Sequence, residues 1–196
     1  MKPLILASTS PYRADLLKKL GIPFECIKPN FDEEAAKNEL LKGQASPLIV
    51  AEALSRGKAK SLHRGDAVVI AGDQLVNFKS GILGKPHDFK TAKTQLQKMR
   101  GTQHQLITAV TIQTFETVIH LNHLTNLTMR NLSDSEIENY LKKDEPYDCA
   151  GSYKIEKSGL LLFSHIETDD FSAIQGLPLL WIAEKLKELG YEFFKT

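Results

Sequence analysis

The chain has 196 residues, 42% of them hydrophobic, enough to bury one substantial core. Its 25 basic and 24 acidic residues leave a formal net charge of +1, which argues against the strongly basic face that broad nucleic-acid contact needs. Two cysteines, Cys26 and Cys149, are too few for a disulfide framework and lack metal-ligand spacing, so they read as buried thiols of a reducing compartment. No apolar run reaches membrane-spanning length and the first residues form no signal-peptide core, so the expectation is a cytoplasmic protein that engages no membrane.

In chain order, Leu4-Ile5-Leu6-Ala7 predicts a short buried strand, and Ser10-Pro11 predicts a helix start with a capping serine and proline at the first helical position. Leu16, Leu17 and Leu20 give that helix its apolar side and Gly21 ends it. Phe24 to Ile27 reads as a second strand. Ser46-Pro47 repeats the cap signal for a helix running to about Leu62. Ala67 to Ala71 is an apolar central strand ending at Gly72-Asp73, although Leu75 to Phe78 has the look of more strand. Lys79-Ser80-Gly81 reads as a hairpin turn.

Asp88 caps a helix carrying Ala92, Leu96 and Met99 and stopped at Gly101. Residues 103–130 read as two antiparallel strands. Ser133 to Glu136 is a capping box before a helix with Ile137, Tyr140 and Leu141. A strand near 160–166 and an amphipathic helix from about Leu179 to Gly190 complete the chain. With no repeats or linkers, the order predicts one α/β unit over residues 1–196, a mixed sheet flanked by helices.

Chemistry gathers at three places. Ala7-Ser8-Thr9-Ser10-Pro11-Tyr12-Arg13 runs a strand into a helix N-terminus, where free N–H groups, three hydroxyls and Arg13 suit a phosphate; the same residues equally suit an ordinary capped helix. Asp73, at the end of a buried strand, can hold a metal or activate water, or simply be a turn aspartate or a helix cap. A scattered set, Asp32, Glu33, Glu34, Lys58 and Gly84-Lys85-Pro86, would supply oxygens for a metal and ammonium groups for phosphates, while each residue taken singly also suits solvated surface. The six histidines fall in no zinc spacing, and neither a GxSxG elbow nor a GxxxxGK[ST] loop is present.

Leu4 to Arg13, Asp73-Gln74, Gly84-Lys85-Pro86, Cys149-Ala150-Gly151-Ser152-Tyr153 and Gly176-Leu177-Pro178, in this order, resemble the motifs of the Maf family of nucleoside triphosphate pyrophosphatases. The resemblance covers nearly the whole chain. It implies an elongated mixed α/β, ITPase-like fold with a central cleft, a Mg²⁺ or Mn²⁺ cofactor, a possible homodimer and cleavage between the α and β phosphates. It assigns functional side chains to Ser8, Arg13, Glu33, Lys58, Asp73 and Lys85, with Asp73 as general base and Glu33 and Asp73 toward the metal. Ala14 stands where many members carry a second arginine.

Three positions separate the branches of the family. Tyr12, Gln74 and Glu156 are similar to the branch acting on 7-methyl-GTP, whereas branches acting on dTTP and UTP show arginine, threonine and glutamine there. A tyrosine face suits the cationic methylated guanine, and an acceptor-only carboxylate suits the adjacent N–H donors of guanine's edge. The alternatives are the same reaction on dTTP, UTP or CTP, or a non-catalytic nucleotide- or RNA-binding regulator of cell division.

Overall fold

The computed structural model describes residues 2–79 and 81–194. The elements in chain order are β1 (Leu4–Ala7), α1 (Pro11–Lys18), β2 (Glu25–Ile27), α2 (Glu33–Lys42), α3 (Pro47–Ser61), β3 (Val68–Phe78), β4 (Gly81–Leu83), α4 (Phe89–Met99), β5 (Gln103–Gln113), β6 (Val118–Met129), α5 (Asp134–Asp144), β7 (Phe163–Glu167), α6 (Phe171–Ile174) and α7 (Leu179–Glu188). The strands form a mixed seven-stranded sheet of order β2-β1-β3-β5-β6-β7, with β4 paired to β3. This is the expected α/β class.

Local capping explains most of the helix starts. Ser10, Ser46 and Asp88 each accept a hydrogen bond from the backbone N–H three residues on, and Pro11 and Pro47 stand at the start of α1 and α3. The capping box at Ser133 and Glu136 is complete, and Gly21, Gly101 and Gly190 follow their helices with positive φ.

Three expectations need correction. β3 does not end at Gly72-Asp73 but runs unbroken from Val68 to Phe78, because Leu75 and Val76 are buried and continue the apolar run. Residues 158–162 form a 3₁₀ turn, so the strand expected near 160 begins only at Phe163. Cys26 is exposed and Cys149 half-buried, so neither is a core thiol. The hairpin at Lys79 forms, with Phe78 opposite Gly81, while Ser80 lies outside the described residues.

The chain divides into two compact units, Met1–Asp73 with Thr108–His123 and Asp170–Thr196, and Gln74–Ile107 with Leu124–Asp169. In the first, β1 runs parallel to both β2 and β3. Side chains of a strand alternate between faces, and the two faces sort cleanly here. Leu4, Leu6, Val68 and Ile70 pack with Leu16, Leu17, Ile182 and Leu186 of α1 and α7. Ile5, Ala7, Val69 and Ala71 pack with Ala59 of α3.

In the second unit, β7 lies antiparallel to β6, and α4 and α5 are linked by Lys93–Glu138 and Arg100–Asp134 ion pairs of 2.6 Å. Tyr153 meets Phe163 edge-on with ring centroids 5.0 Å apart, and His104 Nε2 lies 3.2 Å from the Tyr153 hydroxyl. Burial lowers the His104 pKa from 6.5 to about 4. In the unfolded chain this imidazole takes its proton as pH falls through 6.5, whereas the folded protein keeps it neutral until about pH 4. Stability is therefore lost progressively from pH 6.5 down to pH 4, by up to about 3 kcal/mol. Urea unfolding at pH 7.0 and 4.5 should show this loss, and His104→Gln should remove most of the His104 share.

Candidate active site

The alternation of β3 places the first functional groups. Val69 and Ala71 face α3, so Asp73, two residues further on, faces α3 as well; Gly72 falls on the opposite side with Ile70, toward α1. Asp73 is thus a strand-interior carboxylate, 8% exposed, and not a turn or cap residue.

Lys58 lies on the buried side of α3 and is 5% exposed, although a lone helical lysine reads as surface in sequence. Its Nζ is 2.7 Å from Asp73 Oδ1 and 2.7 Å from Glu33 Oε2, with a longer contact of 3.5 Å to the Gly72 carbonyl. All three ammonium protons therefore point at oxygen.

Glu33 arrives on α2, a helix that sequence reading missed. Asp32 is its N-cap, its side chain accepting from the Ala35 N–H at 2.9 Å, and Glu33 opens the first turn. Asp32, Glu33 and Glu34 are all exposed, and Glu33 is the one whose carboxylate pairs with Lys58. The available signal was Gly57. A glycine inside a helix costs stability and marks a close approach, and a Cβ there would lie 2.4 Å from the Phe31 ring. The bare side of α3 lets Phe31 pack against it, which brings the start of α2 to Lys58.

Arg13, in the first turn of α1, donates from Nε to the Gly176 carbonyl at 3.1 Å. Burial lowers its pKa, and the nearby Asp73 and Glu33 carboxylates oppose that shift and favour the charged guanidinium. The side chain passes between two glycines: a Cβ on Gly72 would lie 3.2 Å from Arg13 Nε, and one on Gly176 would lie 3.2 Å from Arg13 Cγ. Gly176 also holds a φ of +120°, a backbone conformation L residues rarely adopt. Gly176→Ala should therefore displace Arg13, lowering kcat/KM by about tenfold, and should cost about 1–3 kcal/mol of stability. Steady-state kinetics and a thermal melt on the same preparation check both. Asp170 is a further residue that sequence reading missed. It is buried and accepts from the backbone N–H groups of Ser172 and Leu180 at 2.9 and 2.8 Å, fixing the segment that presents Gly176.

The hydroxyls before α1 are partly occupied by the chain itself. Ser8 Oγ accepts from Ser10 N–H at 3.1 Å, and Ser10 Oγ accepts from Arg13 N–H at 3.5 Å. Their hydroxyl protons can still donate to an incoming anion. Tyr12 is half-buried in the same turn, and Ala14 packs against the core.

Gln74, Lys85 and Glu156 belong to the second unit. Lys85 is exposed on a braced loop: Gln95 donates to the Gly84 carbonyl at 3.2 Å, Pro86 is buried, and His87 N–H donates to the Tyr147 carbonyl at 3.0 Å. The other end of Gln95 accepts from Ser152 Oγ at 2.6 Å, tying this loop to the segment after Cys149. Glu156 is exposed in a turn and not in a strand. Burial, reinforced by Asp148 and Glu156, pushes the Cys149 thiol up to about 12, so it is no nucleophile at neutral pH.

The first unit therefore concentrates two carboxylates and two cations around the end of α3 and the middle of β3. Among the described residues, no three His, Cys, Asp or Glu side chains form a metal-binding group. The donor set nonetheless fits a hard divalent cation carried in with a polyphosphate. Glu33 and Asp73 offer oxygens that already converge on one cationic nitrogen, and Mg²⁺ is usually held by one or two carboxylates plus phosphate oxygens and water. No helix among the described residues is long and apolar enough to cross a membrane.

The sequence profile of the Maf-like protein family matches residues 3–189. The chain belongs to the Maf family. Similar Maf relatives include the 7-methyl-GTP pyrophosphatase of Bdellovibrio bacteriovorus, 46% identical over 95% of this chain and 96% of its own length. The proteins of that name from Cupriavidus metallidurans and from a Polaromonas species are 42% and 40% identical over 97% and 98% of this chain, and over 95% and 87% of their own lengths.

Proposed function

We propose that this Maf protein is a nucleoside triphosphate pyrophosphatase that converts 7-methyl-GTP into 7-methyl-GMP and pyrophosphate. The observation that carries the reading is Lys58, buried and held by Asp73 and Glu33, with Arg13 under the charge of both carboxylates. The names of the full-length relatives support the choice of substrate.

Asp73 accepts the proton of the water that attacks the α-phosphorus. Its Oδ1 is committed to Lys58, so Oδ2 takes the proton. As the new O–P bond forms and the bridging α–β oxygen leaves, negative charge moves onto pyrophosphate, where Lys58 and Arg13 offset it. Lys85 adds a cation and Ser8 a hydroxyl donor, as the family resemblance assigns them. Mg²⁺ or Mn²⁺ at Glu33 and Asp73 would supply charge neutralisation on the phosphates. By the family resemblance, Tyr12, Gln74 and Glu156 are the positions that set base preference: a tyrosine face suits the cationic base, worth roughly 0.5–2 kcal/mol, and the Glu156 carboxylate suits the N–H donors of its edge. The reading places the enzyme in the cytoplasm with its nucleotide substrate and, by family resemblance, as a homodimer.

A panel of 7-methyl-GTP, GTP, UTP, dTTP and CTP with Mg²⁺ or Mn²⁺ tests the specificity. The expected result is a kcat/KM at least about tenfold higher for 7-methyl-GTP than for UTP, the size one cation–π contact and one charge-assisted pair can give. Equal values would assign the chain to a pyrimidine nucleotide or a broad substrate range. Turnover of none of them would favour a binding protein.

A further inference from the structure

We infer that Asp144, the last residue of α5, is a specificity-positioning residue: it fixes the turn that presents Glu156. The inference rests on the proposed base-reading role of Glu156.

Asp144 sits in an unfavourable place for an anion. It is 3% exposed and stands at the helix C-terminus, where the helix dipole repels negative charge. A buried carboxylate in such a position is tolerated only with strong partners. Its partner is the backbone of the Glu156 turn, since Oδ2 accepts from Ser158 N–H at 2.8 Å.

The rest of the turn is closed on the same support. Lys154 N–H donates to the Tyr140 hydroxyl of α5 at 2.9 Å, and Lys154 Nζ reaches the Glu145 carbonyl at 3.2 Å and Asp148 Oδ1 at 2.9 Å. The Lys154 carbonyl accepts from both Lys157 N–H at 3.2 Å and Gly159 N–H at 2.9 Å. A Cβ on Gly159 would lie 2.3 Å from that carbonyl oxygen, so the backbone doubles back on itself at a distance only glycine permits. Residues 154–159 thus form a knuckle held from α5 at both ends, with Glu156 exposed between them.

An exposed glutamate on a loose turn would pay conformational entropy each time it bound a base. A fixed turn settles the backbone part of that cost during folding and confines the carboxylate to the reach of one side chain from a fixed Cα. Asp144 itself need not touch the nucleotide; it acts through Glu156.

The test measures kcat/KM for 7-methyl-GTP and for UTP in the wild type, Asp144→Ala, Asp144→Asn and Glu156→Gln, with a thermal melt on each. Removal of the acceptor in Asp144→Ala should lower the 7-methyl-GTP to UTP ratio by about tenfold, chiefly through KM for 7-methyl-GTP. Asp144→Asn keeps an oxygen but loses the charge, and should give an intermediate drop of about threefold. Equal losses on both substrates, or a ratio unchanged in Asp144→Ala while Glu156→Gln lowers it, would overturn the inference. Should Asp144→Ala fail to fold, Asp144→Asn decides, and a ratio within twofold of wild type overturns it. A Glu156→Gln enzyme with the wild-type ratio would instead remove the base-reading role beneath it.

Discussion

Asp73→Asn should lower kcat by about a thousandfold, within the range that general-base removal produces, while the protein still folds. The substitution keeps the size of the side chain and an oxygen for Lys58, now 2.7 Å from Oδ1, so the packing against α3 has no reason to change. What is lost is the second carboxylate oxygen, and with it the proton acceptor of the proposed mechanism and one of the two anionic donors proposed for a divalent cation. KM should change far less than kcat, because the affected interactions develop as water attacks. Single-turnover rates together with a urea unfolding curve separate the chemical loss from a folding defect. A well-folded Asp73→Asn enzyme retaining near-full activity would falsify the assigned roles of Asp73.

Lys58→Met should be the more damaging change to the protein as a whole. Methionine matches the volume of the lysine stem but leaves Asp73 and Glu33 facing each other without the ammonium that joins them. Breaking a buried ion pair from one side costs about 3–5 kcal/mol, and the half-exposed Glu33 puts the expected loss here near about 3 kcal/mol. Activity should fall by at least about 100-fold, as when one preorganised donor to a developing anion is removed. Lys58→Arg should not restore it fully, because a planar fork cannot reproduce three contacts made by one nitrogen. Unfolding midpoints and kcat/KM for both variants test this, and a stable, active Lys58→Met enzyme would place the charge balance elsewhere.

Local signals made much of the fold legible. Caps at Ser10, Ser46, Asp88 and Ser133 depend on residues three apart, so a short stretch of chain carries the whole message. The helix Glu33–Lys42 escaped notice because none of its residues is buried and no apolar stripe marks it. The family resemblance pointed to Arg13, Glu33, Lys58 and Asp73, of which only Arg13 and Asp73 stand in its motifs, and the structure gathers these four in one unit. The reasons lay beyond sequence reading. Lys58 is buried with Asp73 and Glu33 as its charge partners, and Gly57 leaves room for Phe31, two residues before Glu33, against the same helix. The face of Asp73 could have been read by counting from Val69 in steps of two, had β3 been taken as continuous. Gly176 stood in a motif, but its contact with Arg13 lies 163 residues away, and Asp144 meets Ser158 only through the fold. Asp170, by contrast, caps the short helix it precedes, a local signal that could have been read.

The most direct measurement of the central claim is hydrolysis of 7-methyl-GTP in ¹⁸O-labelled water with Mg²⁺, followed by ³¹P NMR and mass spectrometry of the products. Attack at the α-phosphorus, directed by Asp73 with Lys58 and Arg13 at the leaving group, predicts unlabelled pyrophosphate and one ¹⁸O in 7-methyl-GMP. Label in pyrophosphate, or release of orthophosphate with a nucleoside diphosphate, would contradict the account.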